Sequence, residues 1–253
     1  MEDCTVTFDS FTDLDAKSPT LIEGFPGYGL VAAIAVDQIT KQLGLEHHGS
    51  LVSEEFPPVL SYQNGRARDT VRVYGGTTPP VMTLQSDLAF PPTAYKPLSQ
   101  CVHEQLAEEF DRAIFLAGVP AQREADLGTV KAIATTPALE TEVRNAGIEL
   151  AEEAGLVGGI TGALANDCYH NDVPAVVLLV QADPYLPDPG AAQSVIEHAL
   201  EPLVEFDIDT SPLEEQAAQI RQQLQQIATQ YQQLVEQQQQ QPQPDPSQIG
   251  MYQ

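Results

Sequence analysis

Val176-Val-Leu-Leu-Val180 is apolar at every residue and lies inside a longer uncharged run, residues 174–180. A strand with one wet face alternates apolar and polar side chains, whereas a strand apolar throughout is covered on both faces. The stretch therefore predicts the centre of a sheet with helices on either side. Working outward, residues 5–8, 20–24, 71–74, 80–84, 113–117 and 131–134 are short β-rich runs. Between them residues 30–43, 93–111, 137–146, 161–170 and 190–206 have helical patterning. Strands alternating with helices over residues 1–209 predict one α/β body, a three-layer α/β/α sandwich.

Beyond that body the composition turns to Gln. Leu213, Ala217, Ile220, Leu224, Ile227, Tyr231 and Leu234 recur at alternating steps of four and three, the a/d seam of a heptad helix over residues 210–236. Such a seam fits a helix lying on its own subunit and equally one shared between subunits. Residues 237–253 form a tail of Gln and Pro, too poor in apolar side chains along most of its length to offset the entropy of ordering. It nevertheless finishes with Ile249, Met251, Tyr252 and Gln253. A flexible linker of this length reaches roughly 20 Å, so the tail is expected to dock on another molecule.

The chain has 253 residues, with 36 Asp plus Glu against 11 Lys plus Arg, a formal charge of −25. That charge excludes a nucleic-acid binder held by phosphate contacts and disfavours anionic lipid surfaces. The longest apolar run falls well short of the ~20 residues that span a bilayer. With acid at Glu2 and Asp3 and no apolar segment after them, the start of the chain does not read as a secretory signal, and a cytoplasmic protein is expected. Excess acid self-repels in dilute buffer and is screened in molar salt, which predicts a halophilic protein; the other reading is an acidic face for a basic partner. Cys4, Cys101 and Cys168 are widely spaced and predict neither a disulfide framework nor a thiolate metal site.

Gly24-Phe-Pro-Gly-Tyr-Gly29 follows a strand and opens a helix, where α/β proteins place phosphate loops. Its spacing is GxxGxG rather than GxGxxG, and Leu30-Val31 stands where a P-loop has Lys and Ser or Thr. Gly24, Phe25, Pro26, Gly27 and Gly29 are accordingly expected to serve a tight turn and close helix-to-sheet packing. Cys168 and His170 are two apart on a helix and point about 200° from each other, so they do not form a nucleophile–base pair. His47 and His48, with Glu46, Glu54 and Glu55 nearby, lack metal-ligand spacing. Asp183-Pro-Tyr-Leu-Pro-Asp-Pro189 sits at the C-terminal edge of the most apolar strand, where ligand crevices open. Asp188-Pro189 is also a helix N-cap followed by proline at the first helical position. No metal and no cofactor is predicted.

Five segments in chain order carry a resemblance: Leu21-Ile-Glu-Gly-Phe-Pro-Gly-Tyr-Gly-Leu-Val31, the strand with Glu54-Glu-Phe-Pro-Pro58, Gly158-Gly-Ile-Thr-Gly162, Val173-Pro-Ala-Val-Val177, and residues 183–192. Together they look like the archaeal proteasome assembly chaperone family. The resemblance implies an α/β fold related to nucleoside phosphorylases, a homo-oligomer with or without a paralogue, no enzymatic activity, and a role in assembling α subunits of the proteasome core particle. Met251-Tyr252-Gln253 is similar to the HbYX motif, hydrophobic then Tyr then any residue, which docks chaperones and activators into α-ring pockets. Two other functions stay open on the residues: activation of the mature core, and a phosphorylase- or hydrolase-like enzyme acting on a small molecule near Phe25 to Tyr28 and Asp183 to Tyr185.

Overall fold

A computed structural model describes the backbone of residues 6–240 and the side chains of residues 6–226. Cys4, the side chains of Ile227, Tyr231 and Leu234, and the tripeptide Met251-Tyr252-Gln253 lie outside those residues. The chain divides into two compact units, residues 1–214 and 215–253.

Within the first unit the described residues build a sheet in the order β1-β3-β6-β7-β2-β8-β11-β9-β10. The first five of these in chain order are β1 (Val6–Ser10), β2 (Thr20–Gly24), β3 (Glu46–Ser53), β6 (Val71–Thr77) and β7 (Pro80–Ser86). The others are β8 (Arg112–Pro120), β9 (Val130–Ala134), β10 (Glu149–Leu150) and β11 (Ala175–Ala182). A separate hairpin joins β4 (Ser61–Gln63) to β5 (Arg66–Arg68). The middle of the large sheet is parallel: β2 pairs with β7 and β8, and β8 with β11. Its edges are antiparallel, β7 to β6 to β3 to β1 on one side and β11 to β9 on the other.

The strand quoted first is interior, between β8 and β9 and third from one edge, while β2 holds the centre; its side chains divide by parity. Val176, Leu178 and Val180 enter one core, while Ala175 and Val177 enter the other. β8 divides likewise, Ile114 and Leu116 to the first core and Ala113 and Phe115 to the second. An all-apolar run is what a strand needs to feed two cores at once. Helices α1 (Val31–Gln42), α3 (Pro137–Asn145) and α5 (Pro189–Val195), with the short α6 (Glu201–Val204), supply the first core. Helices α2 (Tyr95–Cys101) and α4 (Gly159–His170) supply the second. The result is a mixed α/β fold whose large central sheet is covered by helices on both faces.

Local chemistry sets the boundaries. The Asp188 carboxylate accepts from the Ala191 N–H and Pro189 opens α5, which is the cap the sequence implied. The helix expected over residues 93–111 stops sooner: α2 runs into a π turn, Val102–Leu106. The Asp111 N–H then donates to the Pro19 carbonyl, 3.0 Å, and draws the chain into β8. Glu54 to Pro58 are not in a strand, since β3 ends at Ser53; Pro57 and Pro58 have no N–H to extend the ladder. After Glu205 a helix α7 spans Ser211–Gln240. Of its seam residues, Leu213 is buried in the first core, Ile220 is half-buried and Leu224 is 43% exposed.

Candidate functional site

The parallel strands β2, β8 and β11 end together, and above their C-terminal ends lies a cavity of about 770 Å³. Its walls come from five segments far apart in sequence: the 25–30 turn, residues 88–90 with the nearby Tyr95, residues 116–120 of β8, residues 156–161 leading into α4, and the 184–187 loop, with Leu179 of β11 between them. The two stretches singled out as a small-molecule crevice, Phe25 to Tyr28 and Asp183 to Tyr185, do converge here, with Tyr28 and Tyr185 both on the wall.

The glycines of the 24–29 turn have different roles. A Cβ on Gly24 would stand 2.5 Å from the Val36 Cβ, so its absence lets α1 settle on β2. Gly29 has φ +63°, a left-handed conformation, and a Cβ there would meet Ala182 at 2.7 Å. Gly27 has extended backbone and open space where a Cβ would be. The turn is tied to the far loop because the Asp188 N–H donates to the Gly29 carbonyl, 2.8 Å. Asp188 also accepts from the Asp183 N–H, and Asp183 accepts from the N–H groups of Tyr185 and Leu186. These bonds stiffen the segment that presents Tyr185, a side chain 91% exposed at the mouth.

Phe25 and Phe90 meet edge to face at the floor, ring centroids 5.0 Å apart, and Phe56 packs against Phe90 at a steep tilt, 5.3 Å away. Behind that floor is Glu23, fully buried on β2. Its carboxyl accepts from the Phe25 N–H at 2.9 Å and the Leu116 N–H at 3.3 Å, and the Thr161 hydroxyl lies 3.4 Å from both oxygens. Burial pushes this carboxyl up to about 8, against the lowering pull of those hydrogen bonds, so it keeps its proton at neutral pH. Phe25, Leu116 and Thr161 are all wall residues, so one buried carboxyl pins three walls of the cavity together. The sequence reading passed over Glu23. The available signal was a lone acid inside the apolar run of β2, since a buried polar residue is more informative than an exposed apolar one.

Among the described residues the cavity wall holds no formally charged side chain, no histidine and no cysteine; its polar side chains are Tyr28, Tyr95, Tyr185 and Thr161. Such a wall can hold and orient a ligand by apolar contact and hydrogen bonding, and it offers no nucleophile–base pair. The other residues weighed as candidates lie elsewhere. Cys168 is buried against the second core, its thiol pushed up to about 12 by burial and by the neighbouring Asp167, while His170 is exposed. His48 is buried with its Nε2 2.6 Å from Glu109, and His47 Nε2 lies 3.1 Å from the Ser50 hydroxyl. No group of three or more His, Cys, Asp or Glu side chains among the described residues is arranged to hold a metal ion, and no described helix is long and apolar enough to cross a membrane.

Known proteins share this architecture. Pyrococcus furiosus PbaA, described as an archaeal homolog of proteasome-assembly chaperone, superposes with a TM-score of 0.76 and 26% identity, covering 91% of this chain and 99% of that one. Pyrococcus furiosus PbaB, described as an archaeal proteasome activator, superposes with a TM-score of 0.80 at 20% identity, covering 89% and 99%. An uncharacterized protein of Methanocaldococcus jannaschii is 28% identical over 185 residues, 73% of this chain and 75% of its own length. The PAC2 family model matches residues 21–228, from β2 through the first half of α7, and the chain belongs to the PAC2 family.

Proposed function

We propose that this chain is a non-enzymatic proteasome assembly factor, a cytoplasmic homo-oligomer whose body holds α subunits or half-built rings and whose C-terminal tail docks into α-ring pockets. Membership of the PAC2 family, together with likeness to a homolog of proteasome-assembly chaperone, is the observation that carries this reading. The fold's relation to nucleoside phosphorylases belongs to the same proposal. The body spans residues 1–209 and the heptad helix 210–236, and the tail is residues 237–253, the first four of which continue helix α7 to Gln240.

The docking step has a physical basis in the residues. Met251 buries a flexible thioether chain in an apolar slot, and Tyr252 adds ring area and a hydroxyl. Where Gln253 is the last residue, its carboxylate pairs with a lysine of the pocket. A tail that orders on binding gives low affinity per tail, and several tails on one oligomer gain from effective concentration. Ile220, Leu224, Ile227, Tyr231 and Leu234 form the seam that sets where the tethers begin. Deleting residues 251–253 is expected to abolish co-purification with the core particle and leave the oligomer's mass unchanged; undiminished co-purification would remove the docking step from the proposal.

A second reading, activation of the mature core, is favoured by the fold shared with PbaB. Peptide hydrolysis by purified core particle, with and without the protein, separates it from assembly.

A further inference from the structure

The cavity above β2, β8 and β11 has no place in a docking tail. Its volume, about 770 Å³, falls inside the roughly 300–1,000 Å³ range of small-molecule sites. It also stands at the C-terminal edge of parallel strands, where open α/β sheets bind ligands. Phe25, Tyr28, Phe90, Tyr95 and Tyr185 all line it, five of the chain's 16 Phe and Tyr residues. In a protein with 47 charged side chains, a wall without one is a chemical choice.

We propose that this cavity binds an uncharged aromatic small molecule, its rings laid against Phe25, Phe90 and the tyrosines and its polar edge hydrogen-bonded to the hydroxyls of Thr161 and the wall tyrosines. A formal charge on the ligand would be desolvated with no ion partner on the wall, a cost an uncharged molecule avoids. The behaviour of Glu23 supports this choice. A carboxyl one layer behind the wall, with two N–H donors and a hydroxyl at hand, still retains its proton there. The polar groups on the wall are the Thr161 hydroxyl and the hydroxyls of Tyr28, Tyr95 and Tyr185, since the Gly27 and Gly158 carbonyls already accept from the Leu30 and Gly162 N–H groups. This site is independent of the proteasome reading, and neither outcome for the tail bears on it.

The test uses two fluorescent probes with one ring system, neutral N-phenyl-1-naphthylamine and its sulfonated counterpart 1-anilinonaphthalene-8-sulfonate, titrated into the full chain. The expected result is saturable binding of one neutral probe per chain, with the sulfonate about tenfold weaker or more. Gly158→Phe and Gly27→Leu each add a bulky side chain to an exposed wall position with negative φ and open space, so each is expected to obstruct the site and weaken the neutral probe at least tenfold while the thermal midpoint stays near that of the parent. Should one of the two variants not fold, the other decides. Absence of saturable binding, equal affinity for the two probes, or unchanged binding in a folded plug variant each overturns the proposal. Binding that disappears as the protein is concentrated also overturns it, because a second copy then covers the mouth.

Discussion

A Cβ on Gly118 would stand 2.3 Å from the carbonyl oxygen of Tyr28. Strand β8 thus runs beneath the 25–30 turn at a distance only glycine permits, and this close approach makes the turn a wall of the cavity.

Gly118→Ala is expected to destabilise the protein by about 1–3 kcal/mol, the usual cost of forcing a side chain into filled space. Gly27→Ala, in the same wall but with nothing within 4 Å of its Cβ, is expected to stay within about 0.5 kcal/mol of the parent. Chemical denaturation of both variants measures the contrast, and equal effects would contradict the close approach at Gly118.

Glu23 makes stability depend on pH. Its folded-state value is raised from 4.5 to about 8, so between those values the folded chain binds more protons than the unfolded one. Stability from this group is therefore full below pH 4.5 and is lost progressively as pH rises to 8, by a few kcal/mol in all. Glu23→Gln should flatten that slope. Whichever way the amide is turned, its nitrogen faces the N–H of either Phe25 or Leu116 and cannot accept from it, so the variant also loses about 1–3 kcal/mol at pH 5. Unfolding midpoints from pH 5 to 8 in parent and variant check both statements.

Asp87 anchors the β6–β7 end of the sheet. Burial works against its ionisation, but hydrogen bonds from Arg72 and Ser61 and the charges of Arg72 and Arg68 outweigh it and hold the carboxyl below its usual range. The Arg72 side chain is almost wholly buried and forks onto both Asp87 oxygens at 2.7 and 3.1 Å. Asp87→Asn removes the charge partner of a buried guanidinium that keeps the Asp69 and Thr70 carbonyls as acceptors, and it is expected to cost about 1–3 kcal/mol. In the parent the contribution of Asp87 is present above pH 3.8 and fades below it as the folded carboxyl protonates; a variant whose acid limb matches the parent's would contradict the pairing.

Cys168, with its thiol pushed up to about 12, holds almost no thiolate at pH 8. Alkylation by iodoacetamide in the folded protein, followed by peptide mapping, is expected to leave Cys168 unmodified over times that fully label it after denaturation. Rapid labelling in the native state would place it at the surface.

Much of the fold is legible along the chain because the signals are local. The apolar run Val176 to Val180 dictates a strand covered on both faces, and Asp188-Pro189 dictates the start of α5 whatever surrounds it. Where the chain breaks its own pattern, the sequence misleads: β3 carries Glu46, His47, His48 and Ser50, polar residues with no strand signature. His48 and Ser50 become compatible with a sheet once Glu109 and Asp69, from distant elements, hydrogen-bond to them.

The site divides along the same line. Composition and the order of five short segments suffice to suggest the family, and the 24–29 and 183–189 stretches each mark a strand's C-terminal edge. Tertiary structure alone decides that these stretches share one cavity with residues 116–120 and 156–161, since strands adjacent in space are far apart in sequence. It also decides that Glu23, an ordinary acid in the sequence, is enclosed deeply enough to keep its proton, because desolvation depends on everything packed around a group and on none of its neighbours in the chain in particular.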